Sequence, residues 1–403
     1  MKNKKTILFV HHSPAWGGGT MSLFDIVSLI QERYNIELAL PKGENEVKRY
    51  AVRKKYIIDE TAPNTCVFRY YNGGPSFIKV LGSYFSTRKN LTLWRLYLKE
   101  KKPDILLLNS IVLWPLLPIA KKLGIPTVLF IRESKKKTRI TCFNSLIRKI
   151  INKNAFAVSF LSNYDRVQWN LNTNILTPVI PDCIDVRDFY NQGALIDHSN
   201  YFKNKSDSDI YLLFAGGINR LKGTLTMVKA MRYLPDNIKL YIIGDCGKNL
   251  MHSSGLSRFL KRNRINYIKQ VTQIISDSNI KNRICLLDTI TDMASWYKSC
   301  DMCVVPIVEA HQSRSVYEAG AMKKPVVITD FDNYKEYVKD GVNALTFEMM
   351  NDKQLAEKIL MLSQNSELRI HLGETNQQYA LLFHNKDKAC QTINETIIKL
   401  LNI

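Results

Sequence analysis

Short apolar runs alternate with amphipathic stretches along most of the chain. This alternation is typical of β-α units around parallel sheets, and continuous apolar runs suit strands that are covered on both faces. The strands that the pattern predicts are residues 6–10, 36–40, 105–108, 127–131, 157–160, 211–214, 239–243, 283–287, 302–305 and 326–329. A long gap after the fifth strand divides them into two series.

A polar connection, residues 178–208, fills this gap and is rich in Asp and Asn, which favours a link between domains. A chain of 403 residues is also too long for one ordinary core. We therefore expect an α/β protein of two doubly wound, Rossmann-like domains that face a central cleft, at residues 1–182 and 183–380. A terminal helix at 381–403 is expected to cross back to the first domain. Ligands of such folds bind outside the carboxyl ends of the strands.

Composition adds a strong charge anomaly to this picture. The net charge is +21, which favours anionic partners such as nucleic acid, phosphorylated substrates or an anionic membrane surface. No apolar run reaches the roughly 18–20 residues of a membrane-spanning helix, and the apolar run at 7–10 is too short for a signal peptide. Cys300 and Cys303 form a lone C-x-x-C without a second ligand pair. We therefore expect a cytoplasmic protein without a metal site.

A glycine-rich segment, Trp16 to Thr20, follows the first predicted strand and precedes a helical run at 21–30. Glycine lets a ligand approach backbone N–H groups, and a helix N-terminus favours phosphate. The segment matches neither the G-x-G-x-x-G nor the Walker A pattern. Gly18 and Gly19 are candidate ligand contacts, although an ordinary strand-to-helix turn fits the segment equally well.

A second strand-to-helix loop, residues 214–223, ends in Lys-Gly before a helical run at 224–233. Its candidate ligand contacts are Gly217, Arg220 and Lys222. A cation in such a loop can lie against a diphosphate and stabilise it as a leaving group. The alternative is that both cations are solvated loop charges.

In a third segment, strand 302–305 runs into a polar loop and then a short helix. Glu318 lies one turn inside this helix, and a carboxylate there can accept two hydroxyl hydrogen bonds, as proteins do when they hold a ribose diol. An ordinary pair with a neighbouring lysine is the alternative. The residues that would present N–H groups at the start of the helix are Gln312, Ser313, Arg314 and Ser315.

Together these segments resemble the retaining GT-B-fold glycosyltransferases of family four, also called group 1, which include many bacterial polysaccharide transferases. The similarity is carried, in order, by residues 17–19, 103–105, 124–126, 180–185, 216–223, 242–245, 318–327 and 334–343. The resemblance implies an acceptor-binding first domain and a nucleotide-sugar-binding second domain. It further implies transfer of a sugar to a saccharide or polyprenyl-linked acceptor, in polysaccharide biosynthesis, without a metal or another cofactor.

The family's functional residues match this sequence in part. Glu318 corresponds to the second Glu of the family's E-x7-E motif, which holds the ribose, and Lys222 corresponds to the lysine that contacts the diphosphate. Gly217 occupies the position of a family arginine, so Arg220 would have to replace it from another position. The first Glu of the motif falls on Ala310.

Two candidates follow from this missing acid. Glu309, one residue early, can reach the transferred sugar, or His311 takes over that contact together with Gln312 and Arg314. The donor sugar therefore stays open. In the first domain the resemblance places an acceptor-side polar residue after strand 127–131, where Glu133 is a candidate to orient the acceptor hydroxyl.

Residues 135–153 carry seven Lys or Arg and no acid, with apolar residues at helical spacing. Such a basic amphipathic helix can lie on the anionic inner face of a plasma membrane, and the alternative is a core-facing helix with a solvated outer side. A second basic cluster at 258–269 is either a solvated face or a phosphate-attracting rim.

Two other function classes stay open from the sequence. One is a basic nucleic-acid-binding protein, although no nucleic-acid-binding signature stands out, so no such partner is expected. The other is a GT-B-fold sugar-nucleotide epimerase.

Overall fold

The computed structural model describes residues 4–64, 77–135, 141–203, 206–247, 262–276 and 279–402. The chain divides into two compact units. The first comprises Met1–Cys183 and Lys386–Ile403, and the second comprises Ile184–Asn385. Along the sequence, the boundary between the units thus lies one residue beyond the expected one. The chain returns to the first unit at Lys386, five residues later than expected.

The first unit is built on a parallel sheet. Its described strands are β1 (Thr6–Val10), β2 (Asn35–Ala39), β3 (Ile57–Ile58), β4 (Ile105–Leu108), β5 (Thr127–Ile131) and β6 (Ala157–Phe160). They lie in the order β3-β2-β1-β4-β5-β6. The helices that cover them are α1 (Gly18–Ile30), α2 (Glu46–Arg53), α3 (Phe77–Lys101), α4 (Leu117–Lys122), α5 (Thr141–Asn154) and α6 (Asn163–Trp169), with a 3₁₀ turn at Ile111–Leu116.

The second unit repeats this architecture. Its described strands are β7 (Ile210–Phe214), β8 (Ile238–Ile243), β9 (Ile284–Leu287), β10 (Met302–Val305), β11 (Val326–Thr329) and β12 (Leu345–Phe347). They are parallel and lie in the order β12-β11-β10-β7-β8-β9. The helices are α7 (Val186–Gln192), α8 (Thr224–Ala230), α9 (Arg262–Ser276), α10 (Met293–Ser299), α11 (Arg314–Ala321), α12 (Asp352–Gln364) and α13 (Ser366–Phe383), with 3₁₀ turns at His198–Asn200, Met231–Tyr233, Lys281–Arg283 and Asp332–Tyr334.

Each sheet is buried on both faces. In β1, Leu8 and Val10 pack into one core, whereas Ile7 and Phe9 pack into the core on the opposite face. A strand that is buried on both faces needs no polar alternation, which explains the continuous apolar runs in the sequence.

A last helix, α14 (Lys386–Leu401), packs against α1 in the first unit. Its buried residues recur at helical spacing, so one face of α14 enters the core beside β1. These residues are Ala389, Ile393, Ile397 and Leu400.

Helix α5 turns its apolar side inward. Ile147 and Ile151 are 1% and 0% exposed and belong to the core of the first unit. Ile147 and Ile151 therefore support the alternative of a core-facing helix, whereas Leu146 is 48% exposed and the contact of α5 with a membrane stays a prediction. Lys149 and Lys153 stay exposed on the outer side. The basic residues at 136–140 lie outside the described residues. Among the described helices, none is long and apolar enough to cross a bilayer.

Helix α11 is anchored on α13 by close packing. At Gly320 an added Cβ would lie 2.7 Å from the carbonyl oxygen of Asn376. The Asn376 side-chain amide donates to the carbonyl oxygens of Val316 and Lys324, at 3.2 and 3.0 Å. These contacts fix the helix that carries Glu318.

Candidate functional site

The sheet of the second unit reverses its order between β10 and β7, and ligands of doubly wound sheets bind at such a switch point. The loops that follow these two strands touch. Gly223 has φ +80°, and an added Cβ would lie 1.6 Å from the Pro306 carbonyl oxygen, so only glycine fits. The Val308 N–H donates to the Leu221 carbonyl oxygen at 3.0 Å. The end of the loop that follows β7 therefore lies directly beside the loop that follows β10.

Lys222 and His311 meet where these loops touch. The Lys222 Nζ atom lies 2.8 Å from His311 Nε2, and His311 Nδ1 lies 2.7 Å from the Glu309 carbonyl oxygen. A carbonyl oxygen only accepts, so Nδ1 carries the imidazole proton and Nε2 accepts from the lysine ammonium. The structure thus joins two predicted site residues in one hydrogen-bonded chain. The Glu309 side chain is half-buried, and its contact with a sugar stays a prediction.

Burial changes the protonation of this pair. It lowers the pKa of Lys222 to about 8, and the nearby charge of Glu318 partly opposes the shift. Burial, followed by the charge of Lys222, lowers the pKa of His311 to about 3. At neutral pH the pair is therefore a neutral imidazole and an ammonium that is poorly solvated. An anionic ligand that lies against this ammonium would compensate for the lost solvation.

Glu318 is a buried carboxylate, 6% exposed, on the first turns of α11. Its Oε1 atom accepts from Arg314 Nε at 3.2 Å, one helical turn away. Burial, and then the charge of Glu318, raise the pKa of Tyr297 well above its ordinary value. Lys222, Arg314 and Glu318 thus share one site, in which a carboxylate lies among cations. Such a site suits a ligand that combines hydroxyl groups with an anion.

The other candidates near α11 have different surroundings. The Gln312 amide is engaged at both ends, because Nε2 donates to the Asn333 carbonyl oxygen at 2.9 Å and Oε1 accepts from the Tyr337 hydroxyl. These bonds make Gln312 a brace for the loop, and its contact with a ligand stays a prediction. Ser313 precedes α11 and is 4% exposed, and Ser315 is half-buried in the first turn.

Gly217 and Arg220 lie against the loop after β8 and beside α9, respectively. Gly217 has φ +57°, and an added Cβ would lie 2.7 Å from backbone atoms of Asp245, so packing against the loop after β8 already requires glycine. Arg220 is exposed and lines a groove of about 830 Å³ together with polar side chains of α9, among them Tyr267. The donor contacts expected of Gly217 and Arg220 stay predictions. In the second basic cluster, residues 258 and 261 lie outside the described residues.

The glycine-rich segment of the first unit lies at the corresponding switch point, between β1 and β4. An added Cβ at Gly17 or Gly19 would meet nothing within 4 Å among the described residues, and neither φ lies in the left-handed region. Packing therefore does not require glycine at these two positions. The open space suits a ligand that approaches the backbone at Gly18 and Gly19, where α1 begins.

Glu133 accepts three hydrogen bonds from within the first unit. The Ser110 hydroxyl donates to Oε1, and the N–H groups of Ile111 and Arg132 donate to Oε2 at 3.4 and 3.1 Å. Burial raises the pKa of the Glu133 carboxyl. These contacts favour a role in bracing the ends of β4 and β5, and the orientation of an acceptor hydroxyl by Glu133 stays a prediction.

Sequence reasoning missed a buried polar cluster at this edge of the first sheet. His11 bonds to Asn109, which bonds to Arg132, and Arg132 forms an ion pair with Asp182. A signal was available, because His11, Asn109 and Arg132 each directly follow a neighbouring parallel strand.

Comparison with known proteins adds the family. The model of the family "Glycosyl transferases group 1" matches residues 198–379. An uncharacterized glycosyltransferase of Methanocaldococcus jannaschii is 27% identical over 269 residues, which are 66% of this chain and 66% of that protein. The N,N'-diacetylbacillosaminyl-diphospho-undecaprenol alpha-1,3-N-acetylgalactosaminyltransferase of Campylobacter jejuni is 30% identical over 93 residues. That match is 23% of this chain and 25% of the relative, so the chain spans about two thirds of the first relative and a quarter of the second.

The fold has solved counterparts. The crystal structure of Anabaena HepE in complex with UDP-glucose has a TM-score of 0.75 at 18% identity, over 98% of this chain and 99% of that one. Two units with parallel sheets and this likeness define a two-domain α/β protein of the GT-B fold. The family match falls within the second unit, so residues 198–379 are similar to the group 1 glycosyltransferases. The fold that the sequence predicted is confirmed, and this match supports the predicted family.

Proposed function

We propose that this chain transfers a sugar from a uridine diphosphate sugar to a saccharide or polyprenyl-linked saccharide, with retention of anomeric configuration and without a metal or another cofactor. The observation that carries the proposal is the convergence of Lys222 and Glu318 at the switch point of the second unit. A poorly solvated ammonium suits a diphosphate, and a buried carboxylate suits a ribose diol. These are the two parts of a nucleoside diphosphate site.

In the proposed reaction, the bond between the anomeric carbon and the diphosphate breaks, the acceptor hydroxyl oxygen bonds to that carbon, and the hydroxyl proton passes to the leaving diphosphate. Negative charge develops on the leaving diphosphate, and Lys222 stabilises it together with the N–H groups at the start of α11. Glu318 holds the ribose, which places the diphosphate against the ammonium.

The sugar of the donor is proposed to lie against His311. The neutral imidazole has its proton on Nδ1, and its Nε2 atom accepts from Lys222. When the ammonium turns to the diphosphate, Nε2 can accept from a sugar hydroxyl. This contact would replace the carboxylate that the family motif has at the position of Ala310.

The relatives support the choice of donor and acceptor. HepE was solved with UDP and with UDP-glucose, which favours uridine. The name of the Campylobacter relative includes an undecaprenol-linked sugar, which favours a lipid-linked acceptor and a role in polysaccharide biosynthesis. We place the enzyme at the inner face of the plasma membrane, where Lys149 and Lys153 on the outer side of α5 would attract anionic lipid.

A thermal-shift screen with the diphosphates of uridine, guanosine, thymidine and adenosine tests the proposal. A ligand that binds only the native state raises its stability with the logarithm of saturation, so UDP is expected to give the largest rise in Tm. Release of UDP from UDP-glucose in EDTA then tests catalysis without a metal. A chain that no nucleoside diphosphate stabilises would contradict the proposal.

Nucleotide binding is expected to weaken above pH 8. Lys222, whose pKa burial lowers to about 8, loses its charge as the pH rises through that value. Since the diphosphate binds the charged form, the affinity for UDP should fall by up to about tenfold per pH unit above pH 8. Calorimetric titrations with UDP from pH 7 to pH 9.5 measure this. In Lys222→Arg the cation stays charged, so an equal slope in that variant would rule out Lys222 as the cause.

Gly19→Ala is expected to lower turnover at least tenfold without lowering stability. The added methyl group meets open space in the protein, and alanine in the first turn of α1 stabilises the helix by about 0.5–1 kcal/mol. The same methyl group would block the approach of substrate. Melting temperature and UDP release from UDP-glucose measure the two effects. Gly223→Ala is the contrasting control, since its Cβ would collide with Pro306 and destabilise the second unit.

A further inference from the structure

A chain of buried polar groups lies beneath the glycine-rich loop of the first unit, and Asn109, 1% exposed, is its centre. Asn109 Oδ1 lies 2.8 Å from Arg132 Nε. Asn109 Nδ2 lies 2.8 Å from His11 Nδ1 and 2.9 Å from the Gly19 carbonyl oxygen. His11 Nε2 lies 3.2 Å from Thr20 Oγ1. The Asn109 side-chain amide therefore contacts the residues that follow β1 and β5 and, at the same time, the backbone of the glycine-rich loop.

The donor and the acceptor of each hydrogen bond in this polar network follow from the chemistry of its groups. Because a guanidinium only donates, Asn109 turns its oxygen toward that group and its two protons toward His11 and Gly19. His11 Nδ1 is therefore the acceptor, and the imidazole proton lies on Nε2 and points at Thr20. The Thr20 hydroxyl then donates to the Ala15 carbonyl oxygen at 2.9 Å. The network has one consistent arrangement of protons.

Burial and neighbouring charges keep this arrangement fixed. Burial, followed by the charges of His12 and Arg132, lowers the pKa of His11 to about 3, and burial lowers the pKa of His12 to about 4. Both imidazoles are therefore neutral at physiological pH. Arg132 is held by an ion pair with Asp182 at 3.0 Å. The guanidinium thus orients the Asn109 amide.

The network ends on the loop backbone. Its last acceptors, the carbonyl oxygens of Ala15 and Gly19, bracket the residues at which an added Cβ would meet open space. His11 and Thr20 are 1% and 2% exposed, so the side chains that fix the loop are too buried to contact a ligand themselves.

We propose that Asn109 is a positioning residue for sugar transfer, which fixes the backbone of residues 17–19 in the arrangement that receives substrate. The inference rests on the proposed function and adds a residue that acts through the loop. Asn109 can do this because one amide supplies two donors, one for the imidazole and one for the Gly19 carbonyl oxygen.

Asn109→Asp tests the proposal, because aspartate has the same shape and lacks both donors. Asn394→Asp is the matched control, since Asn394 is also buried in the same unit, 5% exposed, and among the described residues it donates within its own helix, to Cys390. In Asn109→Asp we expect faster hydrogen exchange in peptides that cover residues 11–24. UDP release from UDP-glucose should fall at least tenfold, and the Kd for UDP should stay within twofold. The control should change neither the loop exchange nor the turnover.

A second pair of variants decides the case if Asn109→Asp does not fold. Thr20→Val removes the hydroxyl that links His11 to Ala15, and Thr20→Ser keeps it. We expect turnover to fall severalfold in the valine variant and to be restored by serine. Unchanged turnover in Asn109→Asp and Thr20→Val, with UDP still bound, would overturn the positioning role alone. Failure of the wild-type chain to bind UDP would overturn the proposed function and, with it, this inference.

Discussion

Replacing Lys222 with methionine is expected to stabilise the second unit and to remove its affinity for nucleoside diphosphates. The pKa of Lys222 lies near 8 in the folded chain against an ordinary value of 10.5, so at pH 7 the charged side chain costs on the order of 3 kcal/mol. The lost hydrogen bond to His311 and the partial exposure of the side chain reduce the net gain to about 1–2 kcal/mol. Thermal unfolding with and without UDP measures both effects.

The pH dependence identifies the cause of this gain. A lysine whose pKa is depressed by folding destabilises the folded state below its folded pKa, and the penalty disappears as the pH rises toward the unfolded value. The gain of Lys222→Met should therefore be full below pH 8 and vanish near pH 10.5. Lys229→Met, in helix α8, which follows Lys222 directly, is the control and should show neither effect. A variant that loses stability and still binds UDP would contradict the assignment.

Glu318→Gln is expected to weaken UDP binding about 30- to 100-fold, because a buried carboxylate that accepts two ribose hydroxyls contributes about 2–3 kcal/mol. Pyrophosphate, which has no ribose, should bind the variant as it binds the wild type. Calorimetric titration with both ligands separates contact with the ribose from a general loss of the site.

Two controls make this result specific. Glu357→Gln removes an exposed carboxylate from α12 in the same unit and should leave UDP binding unchanged. The 2′,3′-dideoxy analogue of UDP should bind the wild type about as weakly as UDP binds Glu318→Gln. An equal loss of UDP and pyrophosphate in Glu318→Gln would mean that Glu318 supports the site without holding the ribose.

The strands that carry the site could be predicted because both sheets are covered on both faces. β1, β4, β5, β6, β10 and β11 have the predicted bounds. The short strands β3 and β12 were missed, since two or three residues at a sheet edge leave no apolar run, and Ile57 is 55% exposed. Helix α1 begins at Gly18 and not at residue 21, because no capping side chain marks its start.

Motif spacing predicted the principal ligand candidates but not their contacts. Lys222 and Glu318 were found from loops and helices within single β-α units. The bond between Asn109 and His11 joins residues 98 positions apart, and no local pattern encodes such a pair. The apolar side of α5 shows the same limit, because its spacing fits a bilayer and a protein core equally well, and only the packing of Ile147 and Ile151 decides.

The central claim is that the second unit binds a nucleoside diphosphate through Lys222 and Glu318. Isothermal titration of UDP into the wild-type chain, Lys222→Met and Glu318→Gln tests it most directly. We predict one site per chain in the wild type and a loss of at least about 30-fold in affinity in each variant, equivalent to about 2 kcal/mol. Absence of UDP binding to the wild type, or equal affinity in all three proteins, would contradict the account.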